Sequence, residues 1–219
     1  MKRTRVEADT SSNTDAKLAA FREKMSDRSM DLYRTQFVDK VEHLTKIFES
    51  ELFNKEVHTI HNAKKSKVDG EFLCNAVLAE MIDVVKVELA EFVEGASTIK
   101  VWIQLLTPAI ADGNNFGVSV QEEVVQEFGR AEENAFNALD TISKYFLQRA
   151  KLISKHMKYP LLDDYSRCIR EVDEKVYITL RLSMMDLRNN YLVLRDMLHK
   201  NFTKVVAPRG ANDSVSAMY

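Results

Sequence analysis

The sequence predicts an all-α protein, built from four long antiparallel helices in one bundle. Apolar side chains recur every three or four residues over most of the 219-residue chain, as they do on one face of a helix. Sustained alternation of apolar and polar residues, which a half-buried strand requires, is missing. Only three prolines and six glycines interrupt the chain. Long helices therefore fit between these helix-breaking residues.

Composition argues for a single folded domain. Apolar residues make up 45% of the chain and charged residues 29%, enough apolar surface to offset the entropy of ordering. The formal net charge of -2 gives no bulk attraction to phosphate backbones or anionic lipids. No run approaches the roughly 18 apolar residues of a membrane span. We therefore expect neither nucleic acid nor a membrane as partner.

The cysteines and the N-terminal residues indicate the cellular compartment in which we expect the protein. Cys74 and Cys168 are the only cysteines, and their wide separation predicts reduced, packed thiols rather than a disulfide framework. The basic and then polar N-terminus lacks the apolar core of a secretory signal. These features predict the nucleus or the cytoplasm, or both. The cluster of Lys64, Lys65 and Lys67 is a weak nuclear import signal, and a solvated loop explains it better.

The first half of the chain predicts two helices. A flexible N-terminus over 1–14 precedes a first helix over 15–53, where apolar residues share one helical face. A polar stretch over 54–71 then interrupts the pattern and predicts a connector. A second apolar run predicts a helix over 72–106, which ends before Pro108.

The second half predicts two longer helices. The third, over 118–158, closes just before Pro160, and the fourth covers 162–205. The polar, proline-led segment over 207–219 predicts a mobile C-terminal tail.

The fourth predicted helix carries a second apolar set, offset from its main stripe. Its members are Ile178, Leu182, Met185, Leu192 and Met197. A face this wide indicates either burial against a neighbouring subunit or a central position within the chain's own bundle, and periodicity does not separate the two.

Motifs for catalysis and cofactor binding are missing. None of the five histidines follows a glutamate at the spacing of a di-iron bundle, and no phosphate-binding loop or nucleophile elbow occurs. His58 and His61 could meet on one helical turn, but a solvated surface pair explains them better than a zinc site. We therefore predict a protein that is not an enzyme and needs no cofactor or metal. A bundle enzyme with dispersed catalytic residues remains a weaker alternative.

The segment 109–117 separates two long helices and reads AIADGNNFG. Its glycines and asparagines tolerate positive φ, which predicts a tightly structured turn. From the residues alone, a plain helix connector is the favoured interpretation, although loops on rigid scaffolds often carry function.

The amino-acid sequence of this region resembles that of a known family. The stretches KVWIQLLTPAIADGNNFGVSVQEEV, ISKYFLQRAKLISKHMKYPLLDDY, EVDEKVYITLRL and LRNNYLVLRDMLHKNF are similar to the REG (11S) proteasome activators, and most similar to the gamma type. The resemblance is strong from Lys100 to Tyr219, whereas earlier residues match mainly in layout. It implies four-helix subunits that assemble into a heptameric ring with a central channel, here a homo-heptamer.

The resemblance also implies roles for particular residues. The activation loop, which opens the gate in the α-ring of the 20S proteasome, would comprise Asp112, Gly113, Asn114, Asn115, Phe116 and Gly117. The docking tail would be Ala217, Met218 and Tyr219, and Lys151 would face the channel and influence specificity. Where the family usually has Arg and Glu, this chain has Ala109 and Ala111.

The resemblance implies an ATP-independent activator that stimulates peptide hydrolysis by the proteasome. The alternative from another class is a helical scaffold or adaptor that holds partner helices without activating a proteasome. Periodicity alone fits both.

Overall fold

The computed structural model describes residues 3–62 and 74–209, and within them the chain is helical, without a strand. The α-helices are α1 (Arg3–Asp31), α2 (Phe37–Glu49), α3 (Ala76–Leu106), α4 (Phe116–Lys158) and α5 (Asp163–Val206). A π-helical turn, Leu32–Gln36, joins α1 to α2, and both flanking residues keep right-handed helical backbone angles. The first two α-helices thus form one continuous helix. The all-α fold of four long helices is confirmed.

Helix α1 begins at Arg3, so the predicted flexible segment over 1–14 is wrong for residues 3–14. The prediction relied on apolar periodicity, which the polar first turns lack. A helix can continue without an apolar stripe where nothing breaks its backbone. The first glycine is Gly70 and the first proline Pro108, so nothing in this part of the sequence interrupts the helix.

The connector begins earlier than predicted. Helix α2 ends at Glu49, not at 53, because the Asn54 side-chain amide donates hydrogen bonds to the carbonyls of Phe48 (2.8 Å) and Ser50 (3.2 Å). These carbonyls would otherwise accept from the next helical turn. A 3₁₀ helix, Val57–Asn62, follows.

The connector also ends later than predicted. Cys74 and Asn75 are not helical, and α3 begins at Ala76 rather than at 72. The Asn75 side-chain oxygen accepts a hydrogen bond from the backbone N–H of Leu78 at 3.3 Å. Asn75 therefore caps the helix, which is a role that asparagine favours.

The remaining helix ends match the proline and glycine pattern. Helix α3 ends at Leu106, before Pro108, and α4 ends at Lys158, before Pro160. Helix α5 lies within one residue of its predicted range at both ends. Proline disfavours the helical conformation of the residue before it, so these ends could be read from the sequence.

The chain divides into two compact units, and the first takes its described residues from 1–38, 94–130 and 193–219. Its buried apolar side chains come from all four long helices: Leu32, Phe37, Ile99, Trp102, Ile103, Val124, Phe128, Leu194 and Leu198. The Tyr33 ring stacks on Phe202 at 5.3 Å between centroids, and its hydroxyl is 2.7 Å from Nδ1 of His199. These contacts attach the π-helical turn to α5.

The second unit comprises 39–93 and 131–192. Its buried apolar residues include Leu44, Phe53, Leu78, Met81, Ile82, Val85, Phe92, Ile142, Leu180, Met184 and Leu187. Phe92 meets Tyr191 edge to face at 4.9 Å between ring centroids. Such pairs contribute about 0.5–1.5 kcal/mol beyond the area they bury.

A buried carboxylate joins α4 and α5 of the second unit to the residue that caps α3. Asp173 on α5 accepts hydrogen bonds from the Tyr145 hydroxyl (2.8 Å) and from Nε of Arg149 (3.0 Å) on α4. It also accepts one from the side-chain amide of Asn75 at 3.3 Å. Burial raises the pKa of Tyr145 well above its ordinary value, and the negative Asp173 raises it further.

The cysteines and histidines differ in part from expectation. Cys74 and Cys168 are free, but both are exposed, so the prediction of packed thiols is wrong. Cys74 precedes α3, and Cys168 lies on the solvent side of α5. His61 is not a solvated surface residue, because its Nε2 lies 2.8 Å from a carboxylate oxygen of Glu174 and its side chain is mostly buried.

Two further findings concern the described residues alone. No group of His, Cys, Asp and Glu side chains among them could hold a metal ion. No helix among them has the length and apolarity needed to cross a bilayer. The lysines at 64, 65 and 67 lie outside the described residues.

Candidate functional site

The predicted loop over 109–117 ends two residues early. Phe116 and Gly117 are the first residues of α4, so the predicted helix start at 118 is wrong. The Asn115 carbonyl accepts the first helical hydrogen bond, from the N–H of Ser119 at 3.0 Å. Glycine is tolerated in the first turn, where the N–H groups have no helical partner. The non-helical loop therefore consists of 107–115.

Side chains within the loop hold its backbone. Gly113 has φ of +122°, a conformation that other residues adopt only with strain. The Asn114 side-chain oxygen accepts a hydrogen bond from the N–H of Phe116 at 3.1 Å, which closes an Asx turn. The Asn115 amide donates to the carbonyl of Ala111 at 3.4 Å. The loop thus has a defined shape.

The loop and the first residue of α4 present apolar side chains to solvent. Residues 112–116 are exposed; Phe116 keeps 66% of its surface, and Ile110 is fully accessible. An exposed aliphatic residue in the loop and an exposed aromatic residue directly after it are suited to contact another protein, because burying them there removes apolar surface from water. Ile110 was not singled out from the sequence, although an isoleucine in a non-helical stretch is an available signal.

Gly117 is buried where the chain returns at the end of α5. A Cβ added to it would lie 2.6 Å from the Cα and the carbonyl carbon of Pro208, and closer still to its oxygen. A side chain at 117 would therefore require the Pro208 backbone to move. Close backbone approach, rather than positive φ, explains the glycine at this position.

Two hydrogen bonds accompany this approach. Gln121, which is buried, donates from Nε2 to the carbonyl of Val205 at 2.7 Å. Arg209 donates from Nη2 to the side-chain oxygen of Asn115 at 3.1 Å. The end of α5 is thereby held against the loop and the start of α4. Sequence reasoning missed Gln121, Pro208 and Arg209, because nothing local in the sequence pairs residues 84 to 94 positions apart.

The other predicted site residues divide into two groups. Ala217, Met218 and Tyr219 lie outside the described residues, which end at Arg209, beside the loop. Lys151 is described: it is exposed on α4 within the second unit, and Gln148 and Lys155, one turn away on either side, are exposed too.

The second apolar set of α5 is only partly covered by the chain. Ile178, Leu182 and Leu192 keep 46%, 53% and 55% of their surface exposed, while Met185 and Met197 are half-buried. Leu182 lines a groove of about 290 Å³ in the second unit, between α4 and α5. A helix placed centrally in its own bundle would bury these residues, so that interpretation does not account for them.

The fold and this loop define a class of long-helix bundle with a structured, exposed loop between two helices, and comparison with known proteins specifies the family. Residues 71–215 match the family model described as proteasome activator PA28, C-terminal. Since this match spans more than half of the chain, the protein belongs to the PA28 family.

Curated relatives share much of the sequence. The chain is 49% identical over 144 residues to "Proteasome activator complex subunit 3" of Homo sapiens and to the protein of the same name of Gallus gallus. The aligned stretch is 66% of this chain but only 57% of each relative. The chain thus spans little more than half the length of these relatives.

Solved structures agree on the fold. The 11S subunit PA28 of the Plasmodium falciparum proteasome superposes with a TM-score of 0.78 at 33% identity, covering 91% of this chain and 95% of that one. The chain solved in a proteasome–11S activator complex has a TM-score of 0.69 at 16% identity, covering 86% and 91%. The latter likeness shows the fold alone.

Proposed function

We propose that this chain is a subunit of a ring-shaped activator of the 20S proteasome. The observation that carries the proposal is the exposed loop over 107–115 in a member of the PA28 family. A hydrogen bond holds this loop beside Arg209, at the start of the C-terminal tail, which we call the root of the tail. The tails dock on the α-ring, and the loop opens its gate. The subunit is not itself an enzyme, and the mechanism requires no ATP or cofactor.

The two elements supply different parts of the free energy. Several tails on one ring bind cooperatively, because the first to dock raises the effective concentration of the others. Tight docking alone does not open a gate, since a ligand shifts an equilibrium only by its preference for one state. The loop, with Ile110 exposed, and the adjoining exposed Phe116 at the start of α4 supply that preference through contacts made with the open gate.

Ring formation is part of the proposal. The exposed side chains of Ile178, Leu182 and Leu192 on α5 form an apolar surface that a second copy of this chain would cover. A ring of seven identical subunits follows from the family resemblance, and closed symmetry satisfies such surfaces on every copy. The nucleus or the cytoplasm stays a prediction for the compartment.

Hydrolysis of a fluorogenic peptide by purified 20S proteasome tests the function directly. We expect the rate to rise at least tenfold when the protein is added without ATP, and to saturate with its concentration. The protein incubated with the peptide alone serves as the control for any hydrolytic activity of its own. An unchanged proteasome rate at micromolar protein would contradict the proposal and favour the helical adaptor.

A further inference from the structure

In the first unit, three contacts join the end of the loop and the start of α4 to the last turn of α5 and the residues that follow it. They are Gly117 against Pro208, Gln121 with Val205, and Asn115 with Arg209; together we call them the loop–tail clamp. We propose that the clamp fixes the root of the docking tail on the activation loop, so that docking places the loop in register with the gate. Gly117 is its positioning residue, and the inference rests on the proposed function.

Gly117 determines how closely the two segments approach. Its missing side chain lets the Pro208 backbone occupy the space of a Cβ. Backbone atoms cannot rotate away as the end of a flexible side chain can, so any larger residue must displace the chain at 208. Displacement there moves the point from which the last ten residues extend.

Gln121 fixes the end of α5 from the neighbouring helix. Val205 contributes one of the last carbonyls of α5, which lack helical partners. Gln121 supplies the missing donor from a side chain that is only 1% exposed. A hydrogen bond in such a buried setting is stronger than one in water, and its loss leaves an unpaired buried group.

Asn115 extends the clamp into the loop. One side chain accepts from Arg209 and donates to the carbonyl of Ala111. A displacement of Arg209 is therefore transmitted to the loop backbone four residues before Asn115. With alanine at 109 and 111, those positions offer no charged side chain to hold the loop, which makes this connection through Asn115 more important.

A fixed root has two consequences for the ring. It fixes the position at which each tail begins relative to the ring, which raises the effective concentration of every tail after the first has docked. It also sets the distance between the docked tail and the loop, so the interaction with the open gate depends on the clamp. Loosening the clamp should thus lower both the apparent affinity and the maximal stimulation.

The Gly117→Ala variant tests the clamp, and Gly129→Ala is its matched control. Both positions lie on α4, but a Cβ at 129 meets nothing within 4 Å. Alanine is the better helix former, so helix propensity predicts no loss of stability for either variant. The first readout is amide hydrogen exchange in the free protein. We expect exchange in peptides covering 112–120 and 203–209 to be at least tenfold faster in Gly117→Ala and unchanged in Gly129→Ala.

The second readout is stimulation of purified 20S proteasome. For Gly117→Ala we expect a half-maximal concentration at least fivefold higher and a plateau at least threefold lower, with Gly129→Ala matching the parent protein. Should Gly117→Ala fail to fold, Arg209→Ala replaces it, with an expected effect of about threefold on exchange and on half-maximal concentration. Parent-like exchange and a parent-like half-maximal concentration in either folded variant would overturn the inference.

The two readouts separate the inference from the function on which it rests. Hydrogen exchange needs no proteasome, so it tests the clamp even if the parent protein stimulates nothing. In that case the proposed function fails, and with it the role of the clamp in gate opening. If the parent stimulates and Gly117→Ala does so equally, the function stands and the inference fails.

Discussion

Gln121 donates a buried hydrogen bond of 2.7 Å to the backbone carbonyl of Val205, 84 residues later in the chain. The first of these residues follows the loop, and the second precedes the C-terminal tail. The two elements of the proposed mechanism, distant in sequence, therefore share one end of the first unit. The roles of the loop and the tail can still be tested separately. The Asn114 side-chain oxygen accepts a hydrogen bond from the N–H of Phe116, and this bond does not involve the end of α5.

Replacing Asn114 with tyrosine should abolish gate opening and leave docking intact. The change removes the acceptor for the Phe116 N–H and places a bulky ring on the exposed turn. We expect the Asn114→Tyr variant to form rings and to compete with the parent protein for 20S proteasome, with peptide hydrolysis at least tenfold lower. Asn114→Asp, which keeps the acceptor oxygen, should retain most stimulation. Full activation by Asn114→Tyr would contradict the assigned role.

Deleting residues 217–219 should prevent docking. The deletion removes the three residues assigned to docking, and the loss is multiplied over all the tails of a ring. We expect no detectable competition with the parent protein for 20S proteasome, while ring assembly is unchanged by native mass spectrometry. A truncated protein that still stimulates peptide hydrolysis at parent concentrations would show that docking resides elsewhere.

Native mass spectrometry should detect seven chains of 25.2 kDa, a complex of about 176 kDa with closed symmetry.

Placing a charge in the exposed apolar surface of α5 should dissociate this ring, since an unpaired carboxylate is costly to bury. We expect Leu182→Asp to shift the protein toward monomer at micromolar concentration. Leu161→Asp is the control, because Leu161 is an exposed leucine that lies in the α4–α5 turn, outside the apolar surface of α5. Monomers in the parent protein would refute the ring.

Reversing the charge of Lys151 should change which peptides the activated proteasome cleaves. A ring carries seven copies of this exposed side chain, so one substitution is repeated seven times. The change would alter the summed charge of a channel or the packing of the ring. We expect Lys151→Glu to shift the relative rates for acidic, basic and apolar fluorogenic peptides by several-fold. Lys46→Glu, an exposed lysine on α2, controls for net charge. An unchanged profile would assign Lys151 to a solvated helix surface.

The Tyr145–Asp173 hydrogen bond should make stability depend on alkaline pH. Tyr145→Phe leaves Asp173 without one donor, at a cost of about 1–3 kcal/mol of unfolding free energy near pH 7.5. The folded-state pKa of Tyr145 is raised, so in the parent protein its stabilisation is present below the ordinary phenol pKa of 10.0 and is lost as the pH rises above it.

The difference in unfolding free energy between the parent protein and Tyr145→Phe should consequently become smaller above pH 10. The other ionising groups titrate in both, so only the Tyr145 contribution distinguishes them. Urea denaturation at pH 7.5, 10 and 11 measures the effect. A gap that stays constant across this range would mean that Tyr145 ionises equally in the folded and unfolded chains.

Some helix ends could be predicted from the sequence and others could not. Pro108 and Pro160 predict where α3 and α4 end, because proline restricts the residue before it. The start of α3 was misplaced, since the capping of Leu78 by Asn75 depends on a side-chain conformation that composition does not reveal. The start of α1 was misplaced for the opposite reason, because a polar helix has no apolar stripe to detect.

The sequence by itself determined the all-α fold, the family resemblance and the position of the loop, because helix periodicity, helix breakers and a local motif are all short-range properties. Only the tertiary structure decided why residue 117 is glycine: the reason is the Pro208 backbone, 91 positions later, which fills the space of its side chain. It likewise decided that Ile178, Leu182 and Leu192 remain exposed. Packing between distant segments is a property of the folded chain, and no local pattern encodes it.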